Sequence, residues 1–285
     1  MPGTSSNGVH ELLGVAQSRG WPLVMGVVNI TPDSFSDGGQ FLATDAAIEH
    51  ALRLEDEGAD ILDLGGESTR PRAAEVGLEE ELKRVIPVIE GVRRQSTISI
   101  SIDTSKPEVM SAAVQAGASI VNDVRALKAR GALQCVQELN VGVVLMHMRG
   151  EPRSMQENPK YTDVISQVRE FLLKRVDDCV QSGIDGRQLI IDPGFGFGKN
   201  LEHNLLLLAN LGQLTSSGWP VLVGVSRKSM IASMLDRKTG DRSYASVAMA
   251  VYAAQCGAAI LRVHDVQGTC DALRVTAQVV AKKAP

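Results

Sequence analysis

Apolar residues come in short runs along this chain. Each run stops at a polar residue or glycine, and an amphipathic stretch follows. The runs are "LVMGVVNI" from Leu23, "ADILDLGG" from Ala59, "ISISID" from Ile98, "ASIVND" from Ala118, "VGVVLMHM" from Val141, "QLIIDPG" from Gln188, "VLVGVS" from Val221 and "AAILRVHD" from Ala258. Near-continuous Val, Ile and Leu marks strands covered on both faces, as in a parallel sheet. The stretches between them read as helices. "DAAIEHALRLEDEG" sets Ala47, Ile48, Ala51, Leu52 and Leu54 on one face and stops at Gly58. "KPEVMSAAVQAG" follows Thr104 and Ser105, either of which suits an N-cap; it carries Pro107 in its first turn and ends at Gly117. "DVISQVREFLLKRVDDCVQSG" and "SVAMAVYAAQCG" behave alike.

Eight strands alternating with helices, with no break in composition, predict an α/β chain with a single (β/α)8 TIM barrel over residues 21–285. Residues 1–20 read as a loose lead-in with a short helix at "VHELLGVAQSR". A doubly wound open sheet is the alternative, but it usually announces a nucleotide with GxGxxG or a P-loop. "GFGFG" at 194–198 resembles the first only loosely, because it follows Asp-Pro and the helix starts further on.

Polarity enters each run at its C-terminal end. Asn29 ends the first, Asp63 and Glu67 the second, Asp103 the third, and Asn122 with Asp123 the fourth. His147 ends the fifth, Asp192 the sixth, Ser226-Arg227-Lys228 the seventh, and Arg262-His264-Asp265 the eighth. In a parallel barrel these ends converge on one mouth, where active sites lie. One aspartate after a strand is most often a helix cap. Polar ends on all the strands in succession exceed what caps require. A lone strand histidine such as His147 fits a satisfied structural group as well as a site.

The mouth divides by chemistry. Asp103, Asn122 and Asp192 suit the donor edge of a flat amino-pyrimidinone heterocycle: carboxylates accept adjacent N–H groups, and an amide both donates and accepts. Arg262, His264 and Asn29 become neighbours in a closed barrel, because strand eight borders strand one. Arg and His suit an anion such as a phosphate, and Asn29 offers an oxygen to Mg2+. Lys228 and Ser229 open the helix after strand seven, near where barrels hold anions.

Composition narrows the partners. A net charge of -4 over 285 residues gives no general basic patch, so nucleic acid is disfavoured. No apolar run approaches the roughly 20 residues of a membrane helix, and no basic-then-apolar leader opens the chain. The expectation is a cytoplasmic protein without a membrane partner. Cys135, Cys179, Cys256 and Cys270 form no CxxC pair and read as reduced thiols. HExxH, GxSxG and clustered His/Cys sets are absent, which leaves no evident protein-held metal centre and no evident covalent nucleophile.

"MGVVNITPDSFSDGG", "GADILDLGGESTRP", "SIDTSKPEV", "VNDV", "HMRGEPRSMQ", "IDPGFGFGK", "GVSRKSMI" and "LRVHDV" occur in that order at the strand ends. Through these motifs the chain resembles dihydropteroate synthase from about Leu23 to Val280. The resemblance implies the joining of 6-hydroxymethyl-7,8-dihydropterin pyrophosphate to p-aminobenzoate, with release of pyrophosphate, in folate biosynthesis. It assigns the pterin to Asp103, Asn122, Asp192 and Lys228, and the pyrophosphate to Asn29, Arg262 and His264, with Mg2+ on Asn29. It assigns p-aminobenzoate to Thr69, Arg70, Pro71, Phe197, Lys228 and Ser229. Phe35, Asp37, Ser68 and Arg70 belong to mobile loops after strands one and two; with Lys228, Arg262 and His264 they are the catalytic set the resemblance implies, Asp37 lying nearest the developing positive charge. A homodimer is implied as well.

Arg72, Arg149 and Glu151 depart from residues common in the family, and Arg72 bears on access for p-aminobenzoate analogues such as sulfonamides. Two rivals fit less well. A pterin-binding folate domain of a methyltransferase shares the Asp/Asn/Asp set but needs neither "TPDSFSDGG" nor "GESTRP". A non-catalytic pterin-binding paralogue predicts lost loop or anion residues, and all of these are present.

Overall fold

The computed structural model describes residues 8–30, 39–68, 75–151, 155–235 and 242–282. The strands are β1 (Leu23–Asn29), β2 (Ile61–Gly65), β3 (Ser99–Asp103), β4 (Ile120–Asp123), β5 (Gly142–Met146), β6 (Leu189–Asp192), β7 (Leu222–Val223) and β8 (Ile260–Val263). They pair in parallel in the order β6-β5-β4-β3-β2-β1-β8-β7. A parallel bridge between Ile191 and Val221, with Ile191 N donating to Pro220 O at 3.0 Å, brings β6 to β7 and nearly closes the ring. The fold is the (β/α)8 TIM barrel that the alternating pattern predicts.

Helices follow each strand: α2 (Gly39–Asp56), α3 (Leu78–Arg93), α4 (Pro107–Ala116), α5 (Ala132–Leu139) and α6 (Val164–Gln181) after β1 to β5. Then α7 (Leu201–Ala209) and α8 (Gly212–Thr215) follow β6, α9 (Ser229–Leu235) and α10 (Ser243–Gln255) follow β7, and α11 (Val266–Val280) follows β8. The apolar face expected around Ala47, Ile48, Ala51 and Leu54 of α2 is buried. Asp163 caps α6, accepting from Ile165 N at 3.0 Å and Ser166 N at 3.2 Å.

One expected cap is corrected. Neither Thr104 nor Ser105 caps α4, whose N-cap residue is Lys106 with no side-chain bond to the helix. The Thr104 hydroxyl donates to Glu81 of α3 at 2.6 Å, and the Ser105 hydroxyl donates to Asp123 of β4. Pro107 has no N–H to satisfy, which lowers the need for a cap. The two hydroxyls are thereby free to tie the loop to its neighbours.

The strand period of two builds the site. Residues such as Val24, Leu62, Ile100, Val121, Val143 and Leu261 join the large core shared with the helices. Alternate residues form a separate cluster inside the barrel: Leu23, Met25, Ile61, Ile120, Val144, Ile190, Leu222 and Ile260. Helix α1 (Gly8–Arg19) closes the N-terminal end of this cluster with Val9 and Ala16. The approach is close, since a Cβ on Gly142 would lie 2.2 Å from Val9 Cγ2. Two residues beyond Ile61, Ile120, Ile190 and Ile260 stand Asp63, Asn122, Asp192 and Arg262. A polar layer therefore sits directly above an apolar floor.

Candidate active site at the barrel mouth

Arg262 organises the polar layer. Its Nε donates to Asp63 Oδ2 at 2.6 Å and a terminal nitrogen donates to Asp103 Oδ2 at 2.9 Å. Asp63 Oδ2 also accepts from the Asn122 amide at 3.2 Å. With its Nδ2 turned to Asp63, Asn122 keeps its carbonyl oxygen for another donor. β8, β2, β3 and β4 thus meet through side chains across the barrel. Asp63 is fully buried, and Asp63 Oδ1 and Asp103 Oδ1 are buried with no partner among the described residues. Buried carboxylate oxygens without donors are costly. They are what a ligand presenting N–H groups would satisfy.

On the far side, Asp192 Oδ1 accepts from Gly194 N at 2.7 Å. Lys228 donates to Phe195 O, and its Nζ lies 4.7 Å from the centre of the Phe197 ring. Ser229 opens α9 and is exposed. Gly224 passes beneath: a Cβ there would meet Arg262 Cβ at 3.7 Å and Lys228 Nζ at 3.9 Å. Lys228, Asp192 and Arg262 therefore share one space. The division expected from sequence, with Arg262 among anion groups and Asp103 among ring groups, is looser here, because the guanidinium is bonded to Asp103.

His264 lies just past β8. Its Nδ1 is 3.0 Å from Ser226 Oγ, and its backbone N–H donates to the same oxygen at 3.2 Å. Arg227 adopts a left-handed φ of 56° and pairs with Asp265 at 2.5 Å, which turns it out of the mouth while Lys228 turns in. Left-handed backbone at a non-glycine residue is strained and is common where function over-determines the chain. Asn29 ends β1 opposite Gly65, half-buried. Ser68 follows β2 and borders a cavity of about 430 Å3 shared with Glu67, Asp103, Thr104, Lys106 and Arg125. Phe35, Asp37, Thr69, Arg70, Pro71 and Arg72 lie outside the described residues.

Burial sets the proton affinities. It pushes Asp103 up to about 7 against the downward pull of Arg262. Burial likewise raises Asp192, opposed by Lys228. Lys228 is lowered by burial to about 8, with Asp192 holding it up. Burial works against the Arg262 charge, but Asp63 and Asp103 raise its pKa and keep it cationic. Burial and then Lys199 bring His147 down to about 2, so its ring is neutral. His147 is turned to Lys199 and packs edge-on against Phe171 at 4.9 Å, a structural position.

Two residues without a role from sequence stand in this architecture. Asp63 is the partner of both Arg262 and Asn122. Its signal was a second carboxylate inside an apolar run, in "ADILDLGG". Lys199 is buried beneath the loop after β6. Nothing in "GFGFGKN" distinguishes it from a solvated lysine.

Fold and geometry define a class: a parallel (β/α)8 barrel whose mouth gathers buried carboxylates and an amide beside an arginine and a lysine. The family model described as "Pterin binding enzyme" matches residues 25–264. The dihydropteroate synthase of Escherichia coli (strain K12) is 50% identical over 262 residues, 92% of this chain and 93% of that one. The structure of Xanthomonas albilineans dihydropteroate synthase with 4-aminobenzoic acid superposes with a TM-score of 0.88 at 52% identity, covering 93% of this chain and 95% of that one. The same protein's complex with 7,8-dihydropteroate gives a TM-score of 0.85 at 50% identity, covering 93% and 96%. The chain belongs to the dihydropteroate synthase family of pterin-binding enzymes.

Proposed function

We propose that this chain joins 6-hydroxymethyl-7,8-dihydropterin pyrophosphate to p-aminobenzoate, giving 7,8-dihydropteroate and pyrophosphate. The observation that carries the reading is the buried Asp63–Arg262–Asp103 network with two carboxylate oxygens unpartnered among the described residues. Asp103, Asn122 and Asp192 would accept and orient the pterin edge, with Lys228 beside it. Arg262, His264 and Asn29 would receive the pyrophosphate. Phe197, Lys228 and Ser229 would line the p-aminobenzoate side, together with Thr69, Arg70 and Pro71. Phe35, Asp37, Ser68 and Arg70 would act at the reacting groups.

Asn29 would supply one oxygen to Mg2+, the rest of the shell being left to substrate phosphates and water, the usual arrangement for this ion. Among the described residues no group of three or more His, Cys, Asp or Glu could hold a metal. Mg2+, when bound, neutralises phosphate charge.

The chemistry is an SN1-like displacement. The pterin methylene carbon–oxygen bond breaks, and its electron pair leaves with pyrophosphate. The ring delocalises the resulting cation, the arylamine nitrogen forms the new carbon–nitrogen bond, and one N–H proton is lost. The chain's part is charge stabilisation at the leaving group, ring positioning and exclusion of water. Incubation with both substrates should release pyrophosphate and form dihydropteroate; no release would sink the reading. Bridging-oxygen scrambling in the pterin pyrophosphate tests the order of the steps: none, with strictly second-order dependence on arylamine, removes support for a free cation.

A cytoplasmic homodimer is the assembly we favour. Leu205 and Leu206 on α7 and Tyr244 and Tyr252 on α10 are exposed, which gives apolar surface for a second copy. No helix among the described residues is long and apolar enough to cross a membrane. Light scattering at micromolar concentration tests the dimer.

A further inference from the structure

The loop between β6 and α7 is wrapped around Lys199, which is 2 % exposed. Its Nζ lies 2.9 Å from Gly194 O, 3.0 Å from Phe197 O, 3.3 Å from His147 O and 2.9 Å from His147 Nδ1. Four polar atoms surround this buried amino group, enough to meet its hydrogen-bonding capacity, and burial lowers its pKa well below the ordinary lysine value. The ring of His147 is neutral, and its Nδ1 pairs with the amine in the role its tautomer sets.

The backbone is fitted closely around this amino group. Gly194 and Gly198 have φ of 66° and 62°, and a Cβ on them would lie 2.0 Å from His147 O and 2.1 Å from Arg149 O. Only glycine meets both demands. The outer edge is held as well: Gly196 N donates to Asn204 Oδ1 at 2.8 Å, and the Tyr161 hydroxyl donates to Gly198 O at 2.8 Å. On the mouth side the same loop presents Phe195 O to Lys228 and the Phe197 ring at 4.7 Å from Lys228 Nζ. The loop is thus clamped between an internal lysine and the lysine of the site.

We infer that Lys199 is a positioning residue for the p-aminobenzoate side of the mouth: its amino group fixes the Gly194 and Phe197 carbonyls against His147 and thereby sets the Phe197 ring and the Phe195 carbonyl that holds Lys228. The inference rests on the assignment of Phe197 and Lys228 to that side. A lysine with a purely stabilising role would lower the unfolding midpoint without changing one substrate's kinetics more than the other's.

Steady-state kinetics of the full-length enzyme tests it. Lys199→Met should raise the p-aminobenzoate KM about tenfold at saturating pterin pyrophosphate, and should change the calorimetric Kd for pterin pyrophosphate by a smaller factor. Should Lys199→Met not fold, a histidine pair takes its place. His147→Leu, which removes the Nδ1 partner, should raise the same KM; His147→Asn, whose amide stands near the Nδ1 position, should restore it. Phe197→Ala is the control. If it leaves the p-aminobenzoate KM unchanged, the assignment of Phe197 fails. If it raises that KM while Lys199→Met and His147→Leu do not, or raise both substrate constants equally, the positioning role is overturned.

Discussion

Arg262 and Asp63 are separated by 199 positions in the chain and meet at 2.6 Å, Nε to Oδ2, at the centre of the mouth. The pair lies beside a third strand through Asp103 and a fourth through Asn122. Asp63 is fully buried and the Arg262 side chain is 22% exposed, so water reaches the pair poorly and each charge is held by its opposite. Removing one partner leaves the other with part of its charge uncompensated in a poorly hydrated site.

Asp63→Ala should therefore destabilise the protein by about 3 kcal/mol, the low end for breaking a buried pair, because Arg262 retains Asp103. Asp63→Asn keeps an acceptor and should cost less. Urea unfolding measures both. Equal midpoints for Asp63→Ala and the parent would refute the account of the network.

Asp103→Asn should weaken pterin pyrophosphate binding by about 10- to 100-fold, the worth of a hydrogen bond to a charged group. It should leave the p-aminobenzoate KM nearly unchanged. Calorimetric titration with pterin pyrophosphate and initial-rate kinetics separate the two. A fall confined to p-aminobenzoate would move Asp103 out of the pterin site.

The pH dependence has a fixed sign. Burial raises Asp103 to about 7, from an unfolded value of about 3.9. Between those values the folded state holds the extra proton, so this group's contribution to stability falls as pH rises. Lys228 is lowered to about 8, from about 10.4 unfolded, so its contribution rises as pH rises across that upper window. For turnover, kcat/KM should climb to near pH 7 as Asp103 ionises and decline above about 8 as Lys228 loses its charge. Asp103→Asn should erase the acid limb of the profile; an unchanged acid limb would assign it to another group.

Gly142→Ala should destabilise by about 1–3 kcal/mol, the usual cost of overpacking, because the new methyl would lie 2.2 Å from Val9 Cγ2. Val9→Ala in that background should recover part of the loss. A double-mutant cycle of unfolding free energies checks the coupling. Strict additivity would mean that α1 does not bear on the barrel floor at this point.

Much of this molecule was legible before the fold. The runs ending at Asn29, Asp63, Asp103, Asn122, Asp192 and Arg262 gave the strands, because burial on both faces demands continuous apolar sequence and the mouth alone tolerates polarity. The helix around Ala47, Ile48 and Ala51 was legible from its spacing. The cap of α4 was not: Thr104 and Ser105 satisfy local rules but are recruited by Glu81 and Asp123, which lie on other elements. Residues 1–20 showed only a small polar start and a short helix, and the seat of α1 under Ile61 and Ile260 carries no local signature.

By itself the sequence determined the eight-fold alternation, the polar strand ends and the residue types gathered at the mouth. These are period and composition, which a linear chain carries in full. Only the tertiary structure decided that Arg262 bonds Asp63 and Asp103, that His147 faces Lys199 rather than the mouth, and that Lys199 lies inside the loop and Lys228 on its open side. Such pairings depend on which side chains a closed ring brings within 3 Å or so of each other and on how little water remains there to compete. No spacing along one strand encodes a distance across a barrel.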